Sequence, residues 1–213
     1  LTTRTSQVPD SSFCSGSFDF GRDGVPTEVG WVADLVDRGI LTGEMLCPSN
    51  TAGASKAIEE LLMTPTADFT AGACVDRLGE PDFFTESGVH KVNIARAISQ
   101  NFVDPAATPG AALAPGSARA GVIAEKVLDN GYNTNYAASW FMLRTEFNLD
   151  TDGNPAPRTG GCTDTDPRGT NVTKGPLRMI YLDSSKAPSS VVPLLADATP
   201  SGYLSNAVGS LQA

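Results

Sequence analysis

The stretch Asn135-Tyr-Ala-Ala-Ser-Trp-Phe-Met-Leu-Arg-Thr-Glu-Phe147 decides the fold, because it is the most concentrated apolar and aromatic run in the chain. In an extended chain the side chains of both parities would be largely apolar, so both faces would have to be covered. Asn133 precedes the run and Asp150 follows it, and such polar residues commonly bound strands. The pattern therefore predicts a central strand. A buried helix is the alternative, because short apolar runs separate the two structures poorly.

Helical periodicity is concentrated before this run. Apolar residues at helical spacing predict four helices, which begin near Pro26, Ser55, Val89 and Ser117. The predicted ends are Gly39, the residue before Pro65, about Phe102, and Asn130-Gly131. Strands are predicted at residues 177–182 and 191–196, the latter at a sheet edge because Pro193 cannot donate a backbone hydrogen bond.

This order of elements predicts an α+β fold, in which helices of the N-terminal half pack on a small antiparallel sheet from the C-terminal half. With 213 residues, of which 40% are hydrophobic, the chain can bury a core as one domain over residues 1–213. Residues 1–24 are predicted to form an extended arm that Cys14 and phenylalanines pin to the body. The 21 glycines and 15 prolines indicate many loops.

The charge composition limits the partners. Fifteen Lys and Arg against 24 Asp and Glu give a net charge of −9. Nucleic acid and anionic membrane surfaces require a basic patch, so neither is an expected partner. Cations are the more natural ligands of such a chain.

The cysteines indicate disulfide bonds rather than a metal site. Cys14, Cys47, Cys74 and Cys162 include no Cys-x-x-Cys pair, and His90 is the only histidine, so zinc is not favoured. Two disulfides in an exported protein are preferred over four thiols, because long loops need cross-links and an acidic surface poor in lysine suits secretion. The preferred pairing joins Cys14 to Cys47 and Cys74 to Cys162. The other two connectivities stay open.

Four segments resemble the head domain of bacterial prepilin-type proteins, the type IV pilin-like and pseudopilin-like family. They are Gly30–Val36 (GWVADLV), Met45–Asn50 (MLCPSN), Asn133–Trp140 (NTNYAASW) and Val192–Ala198 (VPLLADA). The Leu-Cys-Pro-Ser and Asn-Tyr-Ala-Ala-Ser stretches are the more specific of these. The family's C-terminal His-x9-Asp-Gly signature is not present.

The resemblance implies a loop-rich α+β head of an exported protein, extracellular, at the cell surface or periplasmic. It implies a structural subunit that assembles with like subunits into a filament of the type IV pilus or type II secretion kind, or a membrane-anchored surface assembly. It also implies a hydrophobic N-terminal helix upstream, removed from this chain, as the only contact with a membrane. No enzymatic activity is expected.

One acidic loop has the composition of a cation site. Asp150, Asp152 and Asn154 alternate around a glycine, with Asp164 and Asp166 nearby, and calcium prefers such oxygen ligands. The EF-hand spacing is not met. A solvated turn, in which Asp and Asn bind their own backbone, is favoured. Calcium is the alternative and the one cofactor suggested, helped by the calcium loops of some pseudopilins.

Catalytic chemistry has little support in the sequence. His90 with Ser, Asp or Cys partners is the only conceivable nucleophilic system, but no nucleophile elbow, metal-binding His pair or phosphate loop accompanies it. A surface or helix-terminal histidine is favoured. Asp19, Asp23, Glu28 and Asp34 could supply a glycosidase carboxylate pair, although acidic residues are plentiful here.

Two further features concern the surface. Asn171-Val172-Thr173 matches the N-glycosylation sequon, a short motif that is frequent by chance. Tyr132 and Tyr203 lie among glycine-rich loops and suggest the alternative function, a secreted binding module for polysaccharide or another surface ligand. Stacking on sugar rings requires such aromatic side chains to share one exposed face.

Overall fold

A computed structural model of the chain describes residues 11–51, 55–84, 90–91, 93–101, 117–158, 160–184 and 188–197. Within these ranges the fold is α+β, as predicted, and its strands form two small antiparallel sheets. In the same ranges, none of the helices has the length and apolar character needed to span a lipid bilayer.

The helices and strands are short. The α-helices are α1 (Phe20–Asp23), α2 (Trp31–Val36), α3 (Lys56–Met63), α4 (Ile94–Asn101), α5 (Ala118–Ile123), α6 (Trp140–Arg144) and α7 (Met179–Asp183). A π-helical turn, Ala124–Leu128, continues α5. The strands are β1 (Phe83–Phe84), β2 (His90–Lys91), β3 (Tyr136–Ala138) and β4 (Leu195–Asp197). β1 pairs with β2, and β3 pairs with β4.

The predicted helices are confirmed where local signals mark their ends. The Ser117 hydroxyl accepts a hydrogen bond from the Ala120 amide and begins α5 at the predicted residue. The helix expected from Pro26 starts later, at Trp31, because Gly30 adopts φ +125°. A side chain at Gly30 would meet the Ser17 carbonyl oxygen at 2.1 Å, so the chain must turn there before the helix can begin.

The predicted central strand is wrong beyond its first residues. Only Tyr136–Ala138 pairs, as β3, with Tyr136 opposite Asp197 in β4. The Ser139 hydroxyl then accepts a hydrogen bond from the Met142 amide at 3.2 Å and starts α6. An N-cap inside an apolar run therefore converts the rest of the run to a helix, which was the alternative interpretation.

The strand predicted at residues 177–182 is also wrong. Leu177 itself is extended and fully buried, with its amide bound to the Met142 carbonyl and its carbonyl to the Phe13 amide. The chain then turns into α7, whose Ile180 is 66% exposed. The third predicted strand forms two residues past Pro193, as β4. The small antiparallel sheet of the C-terminal half is thus present, with two strands instead of three.

The core lies between the helices. α1 packs against α3, and α3 against α5. The largest fully buried side chains are Phe20, Val25, Trp31, Ile58, Leu61, Leu62, Ile94, Ile98, Ile123, Met142 and Leu177. The predicted arm is described from residue 11 onward, and Phe13 and Cys14 pin it in this core as expected. Its last residues form α1 rather than extended chain.

A buried arginine joins two of these helices. Arg119 in α5 is 4% exposed, and its guanidinium donates to the carbonyls of Leu61 and Thr64 at the end of α3. The guanidinium also lies 5.7 Å from the centre of the Phe69 ring. Carbonyls at a helix C-terminus carry partial negative charge, so they stabilise this cation. The contact fixes α5 on α3.

Candidate functional site

The disulfide prediction is confirmed for one pair and wrong for the other. Cys74 and Cys162 form a disulfide across 88 residues of sequence. Cys14 and Cys47 belong to no disulfide, although both lie in the described part of the chain. Cys14 is fully buried in the core, whereas the Cys47 thiol is half-exposed and lies 3.4 Å from the Ser49 hydroxyl. The disulfide that does form is of the kind that persists in an oxidising compartment.

The two most specific family-like segments meet at one residue, Asn135. Its side-chain oxygen accepts the Cys47 amide at 2.8 Å, and its amide nitrogen donates to the carbonyls of Cys47 and Asn50 at 3.2 and 3.3 Å. Asn135 is 1% exposed. A side-chain amide has both a donor and an acceptor, so this one buried residue bonds three backbone groups of a partly exposed loop.

Neighbouring residues extend this contact. The Thr134 hydroxyl donates to the Met45 carbonyl, and Thr42 donates both its amide and its hydroxyl to the Gly131 carbonyl. On the other side β4 pairs with β3, and the Ser139 amide donates to the Leu194 carbonyl. We call residues 42–50, 131–139 and 194–197 the Asn135 junction. It joins three of the four family-like segments.

The fourth family-like segment approaches the same place. Residues 30–36 contain α2, which packs against the 3-10 turn Thr42–Glu44 at the start of the junction. At the junction itself, partial burial and the neighbouring Cys47 thiol raise the pKa of the Tyr136 hydroxyl. The side chains of Asn135 and Thr134 form hydrogen bonds with the protein's own backbone. The arrangement is suited to holding segments together.

A second polar centre surrounds α1 and contains the most buried charges. Asp23 and Arg144 form an ion pair at 2.9 Å, with side chains 1% and 4% exposed. The other Asp23 oxygen accepts the Ser17 amide, and Arg144 also donates to the Arg168 carbonyl at 3.0 and 3.1 Å. The Arg168 side chain binds Asp166. The pair therefore connects α1, α6 and the loop before Gly169.

The backbone beside this ion pair is strained. Thr145 has φ +63° and ψ −72°, and the Glu146 amide donates to the Arg144 carbonyl at 2.8 Å. This is a γ-turn of the rare kind, and a β-branched residue is an uncommon occupant. The Thr145 hydroxyl donates to the Gly175 carbonyl at 2.9 Å and holds the turn. The turn ends α6 at Arg144 and leaves that guanidinium directed at Asp23.

Three carboxyl groups have raised pKa values, mainly because of burial. Burial raises the pKa of Asp23 to about 6; Asp19 adds to the effect, while Arg144 opposes it. The pKa of Glu60 is raised by burial and by the nearby Asp19 carboxylate. The pKa of Glu28 is raised by burial. Protonation of Asp23 therefore begins at mildly acidic pH.

The four carboxylates considered for a glycosidase pair accept hydrogen bonds from backbone amides instead. Asp19 accepts the Arg22 amide as the N-cap of α1, and Asp34 accepts the Ser15 amide at 2.7 Å. Glu28 accepts the Glu80 amide at 3.2 Å and the Asn93 side-chain amide at 2.9 Å. Asp23 is bound to Arg144, as above. These contacts give the four residues different structural roles, and of the four, within the described residues, only Asp19 and Asp23 interact, through their charges.

The predicted calcium residues form two separate turns. The Asp150 carboxylate accepts the amides of Asp152 and Asn154, and these bonds lower its pKa. Asp164 accepts the Asp166 amide, and the Arg168 side chain and amide hold the pKa of Asp166 at about 2. Among the described residues, no three acidic, His or Cys side chains are grouped as metal ligands. The geometry is that of self-bonded turns.

The remaining predicted residues lie apart. His90 is on the exposed β1–β2 hairpin, where it stacks on Phe84 and lies 3.9 Å from Asp82. Asn171 is 9% exposed in a 3-10 turn, a poor position for glycosylation in the folded chain. Tyr132 is 3% exposed, with its hydroxyl on the Thr27 carbonyl, so it cannot present a ring to sugar. Tyr203 lies outside the described residues.

No protein-family model, curated protein or solved structure matches this chain. The resemblance to prepilin-type heads stays a prediction. It rests on the residues of the four segments.

Proposed function

We propose that this chain is the head domain of a prepilin-type structural subunit, exported and assembled with like subunits into a filament or surface assembly. The observation that carries the proposal is the Asn135 junction. Three family-like segments, far apart in the sequence, pack directly against one another, and the fourth packs against the edge of the junction. This shared packing supports treating the four segments as one structural unit of the head.

The chemistry of the described residues also favours a structural role over a catalytic one. Asn135 and Thr134 bind backbone groups, the candidate carboxylates cap or clip loops, and His90 is exposed on a two-residue strand. A catalytic base or nucleophile would instead have to point into a hollow beside a partner group. The Cys74–Cys162 disulfide suits an exported head that must survive outside the cell.

The test uses the complete native polypeptide in its own cells. Surface filaments are sheared off, and an antibody against residues 11–51 and 117–158 is used to locate the chain. The proposal expects the chain in the filament fraction and, upstream of Leu1, an apolar helix behind a prepilin-peptidase site. A chain found only in the cytosol, or secreted with an ordinary cleaved signal peptide, contradicts the proposal.

A matched pair of asparagine variants links the outcome to the junction. Asn135→Ala removes the buried amide that holds Cys47 and Asn50, so the variant head is expected to be lost from filaments. Asn130→Ala removes an exposed amide that binds only the carbonyls of Glu125 and Lys126 at a helix end. This control is expected to assemble normally. Equal assembly of both variants would separate the junction from filament formation.

A further inference from the structure

Cys74 of the disulfide borders two hollows, and each of them contains arginine. The first hollow, of about 310 Å³, is lined by Cys74, Arg158, Thr170 and Asn171. Since a water molecule occupies roughly 30 Å³, about ten would fill it, and a phosphate group or a small sugar acid would fit. Ligand pockets in proteins begin at about this volume. We call it the Arg158 hollow.

Two hydrogen bonds hold Arg158 against one buried segment. Its amide donates to the Asn171 carbonyl at 2.8 Å, and its guanidinium Nη1 donates to the Thr173 carbonyl at 3.2 Å. Thr173 is fully buried and Asn171 is 9% exposed, so the support is well packed. A guanidinium has five N–H donors, and no second bond from this one reaches a described residue. Several donors in a fixed orientation are therefore left for a ligand.

The Arg158 hollow has a positive charge without a matching negative one. Arg158 is exposed and forms no ion pair with any described residue, and none of the described residues that line the hollow is acidic. Thr170, which is half-buried, adds a hydroxyl to which no other described residue bonds. A planar guanidinium fork matches the oxygens of a carboxylate or phosphate, and a hydroxyl can donate one more bond to them. This combination favours an anion.

The second hollow, of about 340 Å³, is less suited to an anion although it contains two arginines. Arg22 is paired with Asp166 at 3.4 Å, and Arg77 donates to the Gly21 carbonyl at 3.0 Å. Asp164 also lines this hollow and brings a negative charge into it. The chain as a whole has a net charge of −9, but at physiological salt charges are screened beyond about 8 Å. The groups that line each hollow therefore decide what it binds.

We propose that the Arg158 hollow is a binding site for an oxyanion, the phosphate or carboxylate group of a small acidic ligand. Two oxygens of the anion accept N–H groups of the Arg158 fork, and the Thr170 hydroxyl donates to the same group. The disulfide fixes Cys74, one wall of the hollow, to Cys162. All of these residues belong to one chain, so the site does not rest on the proposed filament role.

The Arg158 side chain itself can report on binding in NMR spectra. In nitrogen-15-labelled protein, its Nε–H signal is assigned as the one missing from Arg158→Lys. Inorganic phosphate and galacturonate are titrated separately at physiological ionic strength, and sodium chloride serves as the comparison. At least one of the two oxyanions is expected to shift the signal and to saturate with a Kd on the order of 1 mM, and the one that does identifies the source of the anionic group. No shift with either at ten times that concentration, or an equal shift with chloride, overturns the proposal.

Variants separate the site from a general effect of charge. Arg158→Lys keeps the charge but loses the planar fork, so calorimetry is expected to show binding weakened about fivefold or more. Thr170→Ala leaves Arg158 and the carbonyl that the Thr173 amide binds in place, and removing the hydroxyl is expected to raise the Kd about threefold. Arg38→Ala is the control, because this exposed arginine lines neither hollow and its loss should leave the Kd unchanged. An unchanged Kd in both Arg158→Lys and Thr170→Ala, or an equal loss in Arg38→Ala, refutes the site.

Discussion

Asp23 is expected to make this protein more stable in mild acid than at neutral pH. Its carboxyl is 1% exposed and its pKa is about 6 in the fold, against 3.8 for the free group. The folded state therefore holds more protons than the unfolded state between those two values. Stability rises with pH only where the unfolded state binds more protons, so here it falls as pH rises through that window.

The size of the effect follows from the pKa difference. Each pKa unit corresponds to about 1.4 kcal/mol, so the change from 3.8 to about 6 is worth about 3 kcal/mol. Burial of the side chain leaves little room for screening by solvent. Glu28 and Glu60, whose pKa values are also raised by burial, act in the same direction. Because the unfolded carboxyl is already partly ionised at pH 4, Asp23 is expected to lower the free energy of unfolding by about 2 to 3 kcal/mol between pH 4 and pH 7.5.

Urea denaturation from pH 4 to pH 8 measures this dependence. In Asp23→Asn the titrating group is gone, so the difference in slope between wild type and variant should integrate to about 2 to 3 kcal/mol over this range. The variant also leaves Arg144 buried without its counter-charge, which lowers stability at every pH. Ile58→Val is the control: it loosens the fully buried core by about 1 kcal/mol and keeps the wild-type slope. A wild type whose stability increases from pH 4 to pH 7.5, or an Asp23→Asn variant with the wild-type slope, would refute the reasoning.

Three further outcomes can be checked by thermal or urea unfolding. Replacing Cys74 and Cys162 by serine opens an 88-residue loop and should cost about 4 to 5 kcal/mol in the chain-entropy description; a loss below about 1 kcal/mol would show that the unfolded chain is already constrained. Asn135→Ala removes three hydrogen bonds to part-buried backbone groups of the loop 47–50 and should cost about 1 to 3 kcal/mol, against less than about 1 for the exposed Asn130→Ala. A chelator is expected to leave the melting temperature unchanged, because the Asp150 carboxylate already binds its own turn; a lower melting temperature in chelator, restored by calcium, would support the calcium alternative.

Local signals explain which parts of the fold were predictable. Signals from neighbouring residues mark two helix N-termini, at Ser55 and Ser117, and the end of α3 before Pro65. All three lie where they were expected. The strand predicted for the run from Asn135 is wrong because apolar residues at both odd and even positions suit a covered strand and a buried helix equally well. The deciding feature was the Ser139 hydroxyl, which binds the Met142 amide. A serine in the middle of an apolar run was a visible cap signal.

Long-range contacts were not predictable in the same way. Arg144 lies inside that apolar run, and a charged residue there indicates a buried partner. The sequence offers 24 acidic residues for this role, and only the folded structure shows that Asp23 is the one that reaches Arg144. The same holds for the cysteines: spacing could not tell that Cys14 enters the core while Cys47 stays at the Asn135 junction. The sequence also did not predict which aromatic side chains are exposed: Tyr132 is buried, whereas Trp140 is exposed.

The contacts that could not be predicted from the sequence have one feature in common. The Cys74–Cys162 disulfide, the Asn135–Cys47 bonds and the Asp23–Arg144 ion pair each join the N-terminal half to the C-terminal half. Each of these elements is too short to be stable alone, since helices of four to eight residues depend on tertiary packing. The small β3–β4 sheet likewise has only three residue pairs. Contacts between the two halves therefore hold these short helices and strands in place. They comprise a disulfide bond, a set of hydrogen bonds and an ion pair. A fold built this way tolerates long surface loops, because segments distant in the sequence meet in one apolar core and are fixed there by these cross-connections.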